Sequence, residues 1–159
     1  MDTEGLFAPE TVAEARERYA DLQTAAGTVV REITRATALD GDEYDRLVTD
    51  DVIATGHDAL FASLLVVNVG TREEFEAFRA DRDVEVVQTG SEHVDGVVWH
   101  APAFADRIVA TTFADAREAA VGTLRRQAFG KLYRDVLDEG DRTHEAPAGT
   151  TDGRPAGDE

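Results

Sequence analysis

VVWHAP at residues 97–102 and RIVATTF at residues 107–113 are two runs rich in β-branched and aromatic side chains, separated by a short turn over 103–106. Such runs read as strands, and their closeness predicts a hairpin. Strand alternation sends neighbouring side chains to opposite faces. Trp99 therefore accompanies Val97 under helices, and His100 accompanies Val98 and Pro102 on the other side. Upstream, residues 65–69 form a β-branched run closed by Gly70, and residues 84–89 form another closed by Gly90, which brings the expected strands to four. Between those two, Thr71 and Glu74 have capping-box spacing ahead of a helix carrying Phe75 and Phe78. Asp115 and Glu118 start a long helix that ends before Gly140.

On the N-terminal side the period is helical. Val12, Ala15, Tyr19, Leu22, Ala26, Val29, Ile33 and Ala36 follow steps of three and four, with Pro9 at a first-turn position. That spacing suits a coiled coil, but the seam contains three alanines, and Gln23-Thr24 with Gly27 offers a cap and a break, so residues 9–38 are expected to form two packed helices. Asp40 with Glu43 starts a short helix, and Asp50 or Asp51 starts another that presents Ile53, His57, Leu60 and Leu64 on one face. The expected fold class is α+β, with N-terminal helices packed on a small, mostly antiparallel sheet of about four strands and closed by a long C-terminal helix. Residues 1–139 are expected to form a single domain. Residues 140–159, acidic, containing Gly and Pro and without a large apolar side chain, are expected to be a disordered tail.

Of 159 residues, 33 are Asp or Glu and 16 are Lys or Arg, a net charge of −17; only Lys131 is lysine. An acidic, alanine-rich, lysine-poor chain has the composition of a salt-adapted protein, because molar salt shortens the screening length to about 3 Å and removes most of the self-repulsion. The same balance disfavours binding to nucleic acid. The absence of cysteine excludes disulfides and thiolate chemistry. No apolar run approaches the ~18 residues of a membrane span, and residues 1–5 lack the basic-then-apolar order of a secretion signal, so a soluble, cytoplasmic protein is expected.

Four runs carry a resemblance: ALFASLL at 59–65, GTREEFEAF at 70–78, GSEHVDGVVWHAPAFAD at 90–106 and TLRRQAFGKLYRD at 123–135. Together they resemble a small haloarchaeal family of unknown function, over nearly the whole folded part and excluding the tail. The resemblance implies no activity, cofactor or catalytic residue, and it agrees with salt adaptation.

The residues out of character lie near the C-terminal end. Residues 119–134 contain Arg125, Arg126, Lys131 and Arg134 and no acid. Helical arithmetic puts Arg126, Gly130 and Arg134 on one polar face with Gln127, and Lys131 at its border. That face is a candidate site for a phosphate, a carboxylate or an RNA backbone, with internal pairing to the acids of residues 40–58 as the competing explanation. Arg125 falls instead on the apolar side and needs a carboxylate or carbonyl partner. Trp99, His100 and His57 are pocket or structural candidates. His100 has the side-chain type of a general base, yet no nucleophile or orienting carboxylate is identifiable beside it. No HExxH spacing, phosphate loop, GxSxG or dinucleotide fingerprint is present, so no metal, cofactor or catalytic residue is assigned.

The reading that follows is a non-enzymatic interaction or regulatory module meeting another protein or a second copy of itself. A small-anion-binding protein, conceivably an enzyme, is the alternative. A helix-turn-helix-like module in residues 24–65 is disfavoured, because residues 40–58 carry seven acids against one arginine.

Overall fold

A computed structural model describes residues 1–138; the expected tail at 140–159 lies outside the described residues. The elements in chain order are β1 (Asp2–Glu4), α1 (Val12–Asp21), α2 (Gln23–Thr37), α3 (Gly41–Leu47), α4 (Asp50–Ser63), β2 (Val67–Thr71), α5 (Arg72–Ala80), β3 (Glu85–Thr89), β4 (Gly96–His100), β5 (Arg107–Phe113) and α6 (Arg117–Ala128), the last continuing through a π-helical turn (Phe129–Tyr133). The fold is α+β. The sheet order is β1-β2-β4-β5-β3. β4 and β5 form the expected hairpin, with Trp99 opposite Ala110 and His100 opposite Val109.

One strand of the sheet was not expected. Among the described residues the sheet has five strands, because Asp2–Glu4 pairs antiparallel with β2. This three-residue strand is fully polar and exposed, so no alternation marks it. It is held by backbone pairing, by Thr3 Oγ1 donating to Asn68 at 3.0 Å, and by Arg117 reaching Asp2 and Glu4 at 3.0 and 2.9 Å. Immediately after it Gly5 has φ +120°, and a Cβ there would lie 2.4 Å from the Leu65 carbonyl oxygen, so the chain crosses Leu65 only as glycine. The sheet is mostly antiparallel as expected, with β3 joining the far edge parallel to β5, reached from β2 through the crossover helix α5.

The sheet is covered on both faces. Val67, Val69, Val98 and Val109 pack with Phe61, Leu124, Leu132 and Tyr133, which α4 and the C-terminal helix supply. Val97, Trp99, Ile108 and Ala110 pack with Phe75, the buried residue of α5.

Helix starts correct some cap assignments. Thr71 and Glu74 form the full capping box. Asp40 accepts from the Glu43 N–H as expected. At α4, however, Thr49 and not Asp50 or Asp51 supplies the cap oxygen, and α6 starts after Ala116 with no side-chain cap, so Asp115 does not fill that role. A hydroxyl placed one residue earlier satisfies the same orphan N–H while leaving the two aspartates to favour the positive helix end. Residues 12–37 do form two helices. The break falls at Leu22 (φ −93°, ψ −2°), and Gly27 lies inside α2. After that break Ala26, Gly27, Val30 and Thr34 turn inward, whereas Val29 and Ile33 of the heptad seam remain outside.

Candidate functional site

The polar face of the C-terminal helix is open. Arg126, Gly130, Lys131 and Arg134 are all exposed, and nothing lies within 4 Å of a Cβ built on Gly130. Arg134 approaches Asp58 of α4 at 3.9 Å and lies 5.2 Å above the Phe129 ring. Arg126 reaches only the Thr123 hydroxyl at 3.4 Å, and among the described residues neither it nor Lys131 makes an ion pair. Gln127 points the other way, accepting from Thr89 Oγ1 at 3.3 Å. Thr123 also lines a shallow, open groove of about 430 Å³ between the end of β5 and the start of α6, together with Thr111, Thr112, Asp115 and Ala119. Internal pairing therefore accounts for Arg134 and leaves Arg126 and Lys131 solvated.

Arg125 behaves differently from its neighbour. Its Nε donates to the Leu65 carbonyl at 2.9 Å and an Nη to the Glu4 carbonyl at 3.4 Å, tying α6 to the β1–β2 side of the sheet. The partners are backbone oxygens, which receive the guanidinium without a buried counter-charge.

His100 is 1% exposed on the face toward the C-terminal helix. Its Nδ1–H donates to the Val66 carbonyl, which can only accept, so Nε2 carries the lone pair and receives the Tyr133 hydroxyl at 2.7 Å. The wide π-helical turn directs Phe129, Leu132 and Tyr133 inward together. Burial lowers the His100 pKa from 6.5 to about 4, against the favourable carbonyl contact and with a smaller contribution from the nearby Arg125 charge; burial raises that of Tyr133. Both ring nitrogens are occupied, so the imidazole has no free lone pair to take a proton from a substrate.

The depressed pKa has a consequence for stability. Between pH 6.5 and about 4 the unfolded chain binds a proton at this position and the folded chain does not. The stabilising contribution is therefore complete above the unfolded pKa and is lost as pH falls through that window, by about 3 kcal/mol. Unfolding free energies measured at fixed high salt should drop less steeply over that range in His100→Gln than in the parent. Parallel slopes would mean that His100 is not the group responsible.

The other two candidates sit apart from the basic face. Trp99 lies on the opposite sheet face, with ring centroids 5.0 Å from Phe75 and 5.4 Å from Phe78. His57 stacks on Tyr19 at 3.7 Å and donates through Nε2 to the Tyr19 carbonyl at 2.7 Å, while the Tyr19 hydroxyl donates to Asp58 at 2.6 Å. Among the described residues no three His, Asp or Glu side chains converge as a metal site. No described helix is long and apolar enough to cross a membrane.

A feature missed by reading residues one at a time is a set of exposed apolar side chains on three consecutive helices. Val29 and Ile33 of α2 are 47% and 60% exposed, Leu39 in the following link is 89% exposed, and Leu47 of α3 and Val52 of α4 are 43% and 42% exposed. These helices pack together: a Cβ on Gly56 of α4 would meet Val30 of α2 at 2.8 Å, and Arg35 of α2 covers the Tyr44 ring of α3 at 5.8 Å. Five large apolar side chains are exposed within 24 residues of sequence, and Val29 and Ile33, one turn apart, share a flank of α2. The unbroken heptad from Val12 to Ala36 contained the signal, but only the turn at Leu22 decides which half of it stays outside.

Comparison with known proteins gives a family match. The model of a family described as a family of unknown function (DUF5809) matches residues 6–134, from the segment ahead of α1 to the end of the π-helical turn. No curated protein and no solved structure matches the chain.

Proposed function

We propose that this chain, which belongs to the DUF5809 family of unknown function, acts as a non-enzymatic protein-interaction module of a salt-adapted cytoplasm, engaging its partner through the face built by α2, α3 and α4. The observation that carries this reading is the exposure of Val29, Ile33, Leu39, Leu47 and Val52. Apolar area left in water costs about 25 cal/mol per Å² relative to burial, so these exposed side chains favour a covering partner. His100, the general-base candidate, is engaged at both nitrogens within the core, which supports a role without catalysis. A photo-crosslinking amino acid placed at position 33 should give a discrete heavier adduct in cells, and one placed at position 130 on the basic face should not. Absence of an adduct at position 33 would remove the reading.

A second reading has its own support. Arg126 and Lys131 are cations without an ion pair among the described residues in a strongly acidic chain, and Arg126 contacts Thr123 on the rim of the groove at the β5–α6 junction. A phosphate or carboxylate held by these two side chains is the alternative function. For a DNA-reading module in residues 24–65, the exposed Asp50 and Asp51 in the first turn of α4 are adverse, since they would face phosphate.

A further inference from the structure

We infer that β1 is a strap that opens and closes independently of the rest of the fold, and that in its closed form it shields the edge of β2 from pairing with strands of other molecules. The segment ahead of α1 changes character at Gly5. After Gly5 the chain is anchored: the Leu6 and Phe7 N–H groups both donate to the Leu64 carbonyl at 2.8 Å, the Val66 N–H donates to the Phe7 carbonyl at 2.8 Å, and Phe7 stacks on Phe61. Before Gly5, Asp2, Thr3 and Glu4 are all exposed and belong to neither apolar cluster of the core. The family match likewise begins at residue 6, taking in Phe7, β2 and Arg117 and leaving β1 outside. A segment without buried apolar contacts opens at a smaller free energy than the core.

Arg117, the first residue of α6, is the fastening. Alternation sends Asp2 and Glu4 to one side of the strand, and the two Nη atoms of a single guanidinium reach both carboxylates, at 3.0 and 2.9 Å. Thr3 with Asn68, the Met1 amine with Glu74, and Arg125 with the Glu4 carbonyl add further contacts, all of them polar.

The strand underneath explains what the strap is for. Edge strands avoid unwanted pairing by carrying charge or proline. β2 reads VNVGT and has neither. Left bare, it would present a row of N–H and C=O groups between the buried Val67 and Val69 with nothing to deter an incoming strand. β1 has an acid at two of its three positions, so with the strap closed any further strand must approach along two carboxylates.

Hydrogen exchange of the full chain at fixed KCl, followed residue by residue by NMR, tests the independent opening. Alternate amides of β2 point to β1 and to β4. Those donating to β1 should exchange about 100-fold faster or more than those donating to β4. Arg117→Ala should speed the first group a further three- to tenfold or so, the range expected of an exposed bidentate pair, and leave the second within about twofold. Reversing the strap charges, Asp2→Lys with Glu4→Lys, should open it further, and adding Arg117→Glu should restore slow exchange. One common rate for both groups overturns the inference, and so does a reversal that Arg117→Glu fails to rescue. Sedimentation at the same KCl tests the shielding. The charge-reversed variant should form larger species as concentration rises, and the rescued variant should behave as the parent does. A reversed variant that opens by exchange yet keeps the parent's size at every concentration overturns the shielding role. Should that variant fail to fold, Arg117→Ala allows the same comparison.

Discussion

Phe61→Ala is expected to destabilise the fold by about 3–5 kcal/mol, the largest effect of any single truncation considered. Phe61 is fully buried on α4 and is the ring through which the helical layer is joined. Its centroid lies 5.7 Å from Phe7, 5.6 Å from Tyr19, 6.0 Å from Phe129 and 5.3 Å from Tyr133, so the segment before α1, α1 itself and the C-terminal helix all meet on it. Alanine would remove the transfer free energy and leave a cavity among elements too distant in sequence to close it cheaply. Edge-to-face partners add about 0.5–1.5 kcal/mol per pair beyond burial. Phe61→Leu, which retains most of the volume, should recover more than half of the loss. Denaturant midpoints at fixed KCl provide the measurement, and a cost of Phe61→Ala below about 1 kcal/mol would show that these rings are not the joint of the helical layer.

Adjacent arginines should give the second large contrast. Arg125→Ala removes charge-assisted hydrogen bonds to the Leu65 and Glu4 carbonyls, each of the type worth about 1.5–3 kcal/mol, and detaches α6 from the β1–β2 side of the sheet. A loss of about 2–3 kcal/mol is expected. Arg126→Ala gives up only a 3.4 Å contact to Thr123 at the surface and should change stability by less than about 0.5 kcal/mol. A second readout separates loss of the fastening from general damage. Besides burial, the Arg125 charge holds the His100 pKa down, so in a folded Arg125→Ala protein the histidine should titrate at a higher pH than in the parent, as followed by its ring proton resonances. Equal and small effects of the two substitutions would show that Arg125 is not a fastening.

The candidate residues differed in how far sequence could place them. Trp99 and His100 were separable at once, because strand alternation is a local rule and the hairpin register obeys it. The basic face was likewise legible, since Arg126, Gly130 and Arg134 stay on the solvent side through the π-helical turn. The distinction between Arg134, which reaches Asp58, and Arg126, which does not, required α4 to be in place. Tyr133 was not singled out at all, although it is the hydroxyl on which His100 rests. Its partner lies 33 residues away, and no period in the chain connects a strand end to a helical turn.

The sequence by itself determined the helix and strand periods, the capping box at Thr71 and Glu74, the β4–β5 hairpin and the acidic surface. All of these follow from side chains within a few residues of one another or from composition alone. Tertiary structure decided the rest. The polar strand β1 exists because β2 and Arg117 hold it, β3 runs parallel to β5 because α5 returns the chain in the same direction, and Val29 and Ile33 face outward because α2 begins a new phase at Leu22. In each case the decisive partner is distant along the chain, and hydrogen-bond satisfaction or packing against that partner outweighs the local preference.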